Sequence, residues 1–226
     1  MTNEEYYQEI EERITTLQTL RREAIDLSCG IIGESLLQED FFFCASADRC
    51  IRLIDGFIPM LRERNLTCAG VLLRMQMDNC MRTYAAFIAE DRDAVVNCII
   101  DGNPIKNLKD TNGKKMMDGY LKDEITKMDP LFSRVYDNAS GYVHLSEKAF
   151  YQTVANCENN TIGLGIGTPL PEKRNETLVE GAAAYIHFVK LQFKMLKAVV
   201  ESKQRYDTSH TDESEASQTS EINEEV

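Results

Sequence analysis

The spacing of apolar residues along the chain predicts a series of amphipathic α-helices. Apolar side chains recur every three or four residues, the period that places them on one face of a helix. In the first segment, Ile10, Ile14, Leu17, Ala24 and Leu27 form such a face. The same pattern predicts helices over 4–28, 40–63, 68–90, 91–100, 114–127, 130–141 and 175–205.

One segment, 150–167, departs from the helical pattern. Tyr151, Thr153 and Val154 favour a strand, and the Asn159-Asn160 pair is typical of a turn. The segment therefore predicts a small hairpin or an irregular loop. Its G-x-G-x-G run lacks both the lysine-bearing pattern and the following helix of a phosphate-binding loop.

Taken together, these elements predict an all-α fold, a helical bundle of six or seven helices joined by short connections. The first and last helices carry heptad-like apolar stripes. Each stripe either packs inside the bundle or forms a dimer interface, and the pattern alone leaves both arrangements open.

The charge of the chain is unevenly distributed. The 226 residues have a formal net charge of −12, and residues 207–226 contain seven acidic residues and no lysine or arginine. That segment therefore carries −7 of the total, so we expect a single helical domain over 1–205 and a disordered acidic tail over 206–226. The acidity disfavours non-specific binding to nucleic acid or anionic lipid.

The cysteines and the first residues indicate a cytoplasmic protein. Seven cysteines, an odd number without a C-x-x-C pair, are typical of free thiols in a reducing compartment. The start, MTNEEYYQEIEER, is acidic where a secretory signal is basic and then apolar. No apolar run approaches the ~18 residues that span a bilayer, so no membrane partner is expected. Three scattered histidines predict no metal site and no cofactor.

A first candidate site lies on the predicted third helix, where Arg74, Asp78 and Arg82 follow one another at four-residue intervals beside the apolar stripe. This spacing lets both arginines reach the one carboxylate. Two guanidinium groups and one acid leave a net positive charge, which suits a phosphate or carboxylate ligand. The alternative is a salt-bridge ladder that orients neighbouring helices.

A second candidate site lies around the predicted end of the 130–141 helix. His144 has the side chain best suited to general acid or base chemistry near neutral pH. Asn138, Ser140 and Tyr142 lie close to it in sequence and could orient it or bind an oxyanion. The alternative is structural, with Ser146 capping the next helix and His144 tying down the loop through a backbone carbonyl.

Two motifs carry a resemblance to a known family. The segments Leu72-Leu73-Arg74-x3-Asp78-x3-Arg82 and Ser140-Gly141-Tyr142-Val143-His144-Leu145-Ser146 resemble a group of bacterial all-helical proteins of unknown function. The resemblance spans roughly residues 35–200. That group is distantly similar to HEPN domains (higher eukaryotes and prokaryotes nucleotide-binding), helical bundles that are often dimeric and occur in toxins and phage-defence proteins.

The resemblance implies a metal-independent ribonuclease. By this resemblance the catalytic residues are His144, Arg74 and Arg82, and the ligand-binding residues are Asp78, Asn138, Ser140 and Tyr142. The HEPN hallmark is an arginine followed after four to six residues by histidine. Here the nearest upstream arginine, Arg134, has nine residues between it and His144, so an arginine of the third helix would have to replace it.

Three hypotheses for function follow. The first is a HEPN-like ribonuclease of bacterial defence, in which His144 transfers protons during attack by an RNA 2′-hydroxyl. The second is a binding module for RNA, a small anionic molecule or a partner protein. The third is a non-catalytic structural or interaction protein whose Arg/Asp/His cluster only staples the bundle. A homodimer is compatible with all three, and no feature is typical of DNA recognition.

Overall fold

The computed structural model describes the backbone of most of the chain. It covers residues 1–144, 146–158 and 161–224, with side chains over the same ranges except 148–149, 155–158 and 209–224. No helix in these ranges is both long and apolar enough to cross a membrane.

The described residues form eight α-helices, which confirms the predicted all-α helical bundle. The helices are α1 Asn3–Ile32, α2 Gln38–Arg62, α3 Leu66–Ile88, α4 Arg92–Ile100, α5 Asp118–Met128, α6 Leu131–Val143, α7 Glu147–Thr153 and α8 Asn175–Glu224. Two short 3₁₀ turns cover Ile105–Asn107 and Glu172–Arg174. The helix beyond the predicted six or seven is α7, whose seven residues are too few to show a clear apolar period.

The core lies between α1, α2, α3 and α8. Helix α1 packs against α2 and α8, and α3 packs against the same two helices from the other side. The predicted stripe of α1 is buried, with Ile10, Ile14 and Leu17 at most 1% exposed. The stripe of α8 is buried too, including Tyr185, Phe193 and Leu196. Both stripes therefore pack inside the bundle.

Helix α1 runs past its predicted end. Cys29-Gly30 remains helical, and the helix stops at Ile32, before Gly33, which has a positive φ of 55°. Gly30 instead permits close packing, because a Cβ there would lie 2.9 Å from Cγ1 of Val200 on α8. In α2, Pro59 lies one turn from the end and leaves the helix intact to Arg62.

Helix α8 continues beyond residue 205, where the sequence predicts the end of the domain. Nothing after Gly181 interrupts it, since the rest of the chain contains no glycine or proline. Lys203 forms a buried ion pair with Asp40 of α2, with Nζ and Oδ2 2.6 Å apart. Asp207 accepts a hydrogen bond from the backbone N–H of Glu34 at 3.0 Å. The predicted disorder of 206–226 stays a prediction. The side chains from 209 onward lie outside the described residues.

A small antiparallel hairpin follows α7, so of the two predicted arrangements, a hairpin or an irregular loop, the structure has the hairpin. It begins later than predicted, because Tyr151 and Thr153, expected in a strand, belong to α7. The predicted turn at Asn159-Asn160 lies outside the described residues. Strand β1 is Val154–Glu158 and strand β2 is Thr161–Leu164. Glu158 pairs with Thr161 and Val154 pairs with Leu164, with an irregularity on β1 between Val154 and Asn156. From the hairpin the chain reaches α8 through the 3₁₀ turn at Glu172–Arg174.

The contact between α3 and α6 depends on a glycine. A Cβ at Gly70 would lie 2.4 Å from the ring of Tyr142.

We expect Gly70→Ala to lower the free energy of unfolding by about 1–3 kcal/mol, because the core must shift to relieve the clash. Gly181 in α8 is the control, since a Cβ there meets nothing within 4 Å. Gly181→Ala should raise the free energy of unfolding by about 0.5–1 kcal/mol. Urea denaturation measures both, and equal shifts would contradict this account.

Candidate functional site

Helix α3 carries the first predicted cluster, and its two arginines bind different carboxylates in the structure. Arg74 forms the predicted ion pair with Asp78, one turn along the helix. Arg82 instead pairs with Asp118, its Nη2 lying 2.7 Å from Oδ1. Asp118 begins α5, so this partner comes from a contact between helices that the spacing on α3 does not reveal. We expected both arginines to share Asp78, but in the described ion pairs only Arg74 binds it.

Arg74 is held between α3 and α6. Its side chain is 14% exposed, and its Nε donates to Oγ of Ser140 at 3.2 Å. Its Nη2 donates to the hydroxyl of Tyr136, and its guanidinium carbon lies 3.6 Å from the centroid of that ring. Burial raises the pKa of Tyr136, and the nearby Arg74 opposes that rise. With Asp78, Tyr136 and Ser140 as partners, Arg74 joins two helices and has little capacity left for a ligand.

The second predicted cluster, on α6, also divides, because successive residues of a helix point about 100° apart. Ser140 faces α3, and its hydroxyl donates to the carbonyl of Tyr136 at 2.8 Å. Tyr142 packs against the backbone of Gly70. Asn138 lines a separate cavity of about 660 Å³ beside α8. That cavity is also lined by Arg134, Glu180 and His187.

Among the described residues, His144 is not a hydrogen-bond or ion-pair partner of either arginine of α3. It follows the last residue of α6 and is exposed. Ser146 closes the end of this helix by donating to the carbonyl of Gly141 at 2.6 Å. The catalytic role of His144 therefore stays a prediction.

A cleft between α2, α3 and α4 does gather charged side chains. Its volume is about 440 Å³, and Phe42, Ala45 and Ile99 form its apolar wall. Its polar lining consists of Ser46, Arg49, Asp78, Asn79 and Arg82. An adjoining cavity of about 420 Å³ shares Arg82 and Ile99 and adds Lys106.

Arg49 is the functional candidate that the sequence analysis missed. It is exposed on α2, and its neighbours at three and four residues are Ala45, Ser46, Arg52 and Leu53, none of them acidic. Arg52, by contrast, pairs with Asp48. An arginine without a helical carboxylate partner beside an apolar stripe is a signal that sequence inspection could have used.

The floor of this cleft is a buried network of amides and hydroxyls. The side chain of Gln192, on α8, donates from Nε2 to Oγ of Ser46 at 2.7 Å. Its Oε1 accepts from Nε2 of Gln76 at 2.6 Å and from Nδ2 of Asn79 at 3.1 Å. Ser46 also shares a 2.6 Å hydrogen bond with Thr83. The network therefore joins α2, α3 and α8 directly behind the two cleft residues Ser46 and Asn79.

The loop before α5 is held by Asp110. Its carboxylate accepts from the hydroxyl of Tyr120 at 2.5 Å and from the backbone N–H groups of Asn112 and Lys114 at 3.0 and 2.7 Å. These hydrogen bonds, that from Tyr120 first, lower the pKa of Asp110 to about 2. The fixed loop leads into the first turn of α5, which holds Asp118 against Arg82.

Comparison with known proteins finds no family model, no curated protein and no solved structure that matches this chain. The resemblance to HEPN domains therefore stays a prediction. Among the residues described, no group of three or more histidine, cysteine, aspartate or glutamate side chains is arranged to hold a metal ion.

The contacts of Arg74 predict a structural role for it. Arg74→Ala leaves Asp78, Tyr136 and Ser140 without their shared donor, so we expect the free energy of unfolding to fall by about 1–3 kcal/mol. Arg52 is a matched control, since its side chain is 77% exposed and pairs within its own helix. Arg52→Ala should change the free energy of unfolding by less than about 0.5 kcal/mol. Denaturant unfolding gives both values, and an unchanged Arg74→Ala protein would rule out the structural role.

Proposed function

We propose that this protein is a non-catalytic binding module whose α2–α3–α4 cleft holds a small anionic molecule with an apolar portion. One observation carries the proposal. Arg49 and Arg82 line the same cleft, and Arg49 forms no ion pair with any residue of the described ranges. A guanidinium group in this position is available to bind a carboxylate or phosphate through two parallel hydrogen bonds.

The balance of charge in the cleft favours an anion. Arg74 neutralises Asp78, and Arg82 and Asp118 neutralise each other. Arg49 therefore leaves the cleft with a net positive charge on an otherwise acidic chain. Because Arg82 uses one nitrogen for Asp118, its remaining N–H groups can still donate to a ligand.

The apolar wall and the size of the cleft limit the ligand further. Phe42, Ala45 and Ile99 offer a surface for a ring or a short aliphatic chain. A volume of about 440 Å³ lies within the usual range for small-molecule pockets, about 300–1,000 Å³. A molecule of mononucleotide size, with one phosphate and one planar ring, has both required features.

The geometry supports the ribonuclease hypothesis less well than it supports a binding module. Cleavage at a phosphodiester needs a base and a cation that converge on one reacting centre. His144 is at the end of α6, and Arg74 is engaged by three partners of its own. In the proposed function, the contacts of Arg74 with Tyr136 and Ser140 hold α3 against α6. For this part of the cluster, the proposal therefore agrees with the structural hypothesis.

Binding of adenosine 5′-monophosphate, measured by calorimetry, tests the proposal. We expect Arg49→Ala to weaken binding by roughly tenfold or more, the effect of losing a hydrogen bond to a charged group. Arg52→Ala, one turn further along α2, should leave binding unchanged because Arg52 does not line the cleft. Adenosine, which lacks the phosphate, should bind more weakly than the nucleotide. Equal losses in the two variants, or equal binding of both ligands, would refute an anion site at Arg49.

A separate assay tests catalysis. Mixed RNA incubated with the purified protein and a metal chelator should remain intact, for the wild type and for His144→Ala alike. The reason is that His144 has no arginine beside it among the described contacts. Gel electrophoresis of the RNA gives the result. Cleavage by the wild type that is lost in His144→Ala would restore the ribonuclease hypothesis.

A further inference from the structure

The hairpin region exposes several large apolar side chains. Six large apolar side chains between residues 143 and 166 are 47–80% exposed. We call this group the hairpin patch; its members are Val143, Phe150, Tyr151, Ile162, Leu164 and Ile166. The rings of Phe150 and Tyr151 contact each other edge to face, with centroids 5.5 Å apart. Exposed apolar surface concentrated in this way is typical of an interaction site.

Strand β2 gives the hairpin patch a free edge. In the described part of the chain, β2 pairs with β1 alone, so the N–H and C=O groups of its other edge are unpaired in the sheet. Residues 161–167 read Thr-Ile-Gly-Leu-Gly-Ile-Gly, with no charge and no proline. Lysine, proline and bulges are the features with which sheets normally block pairing at an edge. The irregularity of this hairpin is on β1, so β2 is left unblocked.

Alternation along β2 gives the edge two different faces. Ile162 and Leu164 are two residues apart and therefore share one face of the strand. They are 65% and 60% exposed. On the opposite face, Gly163 has no side chain and Thr161 has a small polar one.

We propose that a second copy of this chain docks on the hairpin patch, with the β2 strands of the two copies pairing antiparallel into a four-stranded sheet. Antiparallel pairing of one strand with its own copy has two-fold symmetry, so with the axis at Gly163 the Ile162 of each copy lies opposite Leu164 of the other. Because β2 is uncharged, two chains of net charge −12 can approach at this edge without local repulsion.

The surface available matches such a dimer. Aromatic side chains bury about 150–250 Å² each, so two aromatic and four aliphatic side chains that are 47–80% exposed offer on the order of 600 Å² per copy, near the ~800 Å² of a standard interface. The apolar stripes of α1 and α8, the other surfaces that the sequence marks for dimerisation, are already used inside the bundle. The hairpin patch is therefore the surface that we assign to a homodimer.

Sedimentation equilibrium of the full chain over a dilution series tests this proposal. We expect a mass of twice 25.7 kDa at high concentration and 25.7 kDa on dilution. Leu164→Lys should weaken the dimer by tenfold or more, because it removes an apolar contact and places an unpaired charge there at both symmetry-related positions. Since Leu164 is 60% exposed, circular dichroism should show that this variant keeps its helical content.

The matched control is Ile25→Lys. Ile25 is 42% exposed on α1, far along the chain from the hairpin patch, and this variant should dimerise like the wild type. Amide hydrogen exchange in Thr161–Leu164 should slow as the dimer forms. A chain that is monomeric at every concentration would overturn the proposal. So would a dimer that Leu164→Lys leaves intact, or one that forms without slower exchange in β2. A monomer that co-sediments with phosphatidylcholine vesicles through Leu164 would also overturn it.

Discussion

The buried amide of Gln192 is the constraint on which the arrangement of the central helices depends. Apolar stripes can slide past one another at modest cost, but a buried amide without partners is expensive. Gln192 meets Ser46 from α2 and both Gln76 and Asn79 from α3. These hydrogen bonds are satisfied together only when α2, α3 and α8 lie at one depth and one rotation relative to each other. The network thus adds a specific register to packing that is otherwise non-directional.

That register also determines where the charged side chains of α3 emerge. With Asn79 and Thr83 turned toward the network, Asp78 and Arg82 lie at the rim of the cleft, and Arg74 turns toward α6. The three residues share one helix, yet the two arginines have different environments. Arg74 is enclosed by partners from α6, whereas Arg82 meets the first turn of α5. Charge that looks like one cluster in sequence therefore serves helix packing at one end and an open cleft at the other.

The hairpin follows different physical rules from the bundle. The bundle buries most of its large apolar residues, with exceptions such as Ile25 and Phe41, while the hairpin and α7 expose theirs. A two-stranded hairpin is only marginally stable alone, so an exposed apolar hairpin is more stable when something covers it. The hairpin and the cleft use different elements, α7 with β1 and β2 in one case and α2, α3 and α4 in the other. The two proposals, self-association and ligand binding, can therefore be tested by separate substitutions.

Sequence alone determined the helices, because their apolar period is a local property of the chain. The stripe of α1 follows directly from spacing, whereas the pattern near 150–167 left a hairpin and an irregular loop both open. Helix ends were less accessible, since Gly30 remains helical and serves close packing against α8 instead of ending α1. Of the candidate site, the Arg74–Asp78 pair is local and was predictable, but the partners of Arg82 and Gln192 lie 36 and up to 146 residues away. Contacts at such separations exist only once the helices have packed, so tertiary structure alone decided that Arg82 pairs with α5 and that Arg49 has no ion pair among the described residues.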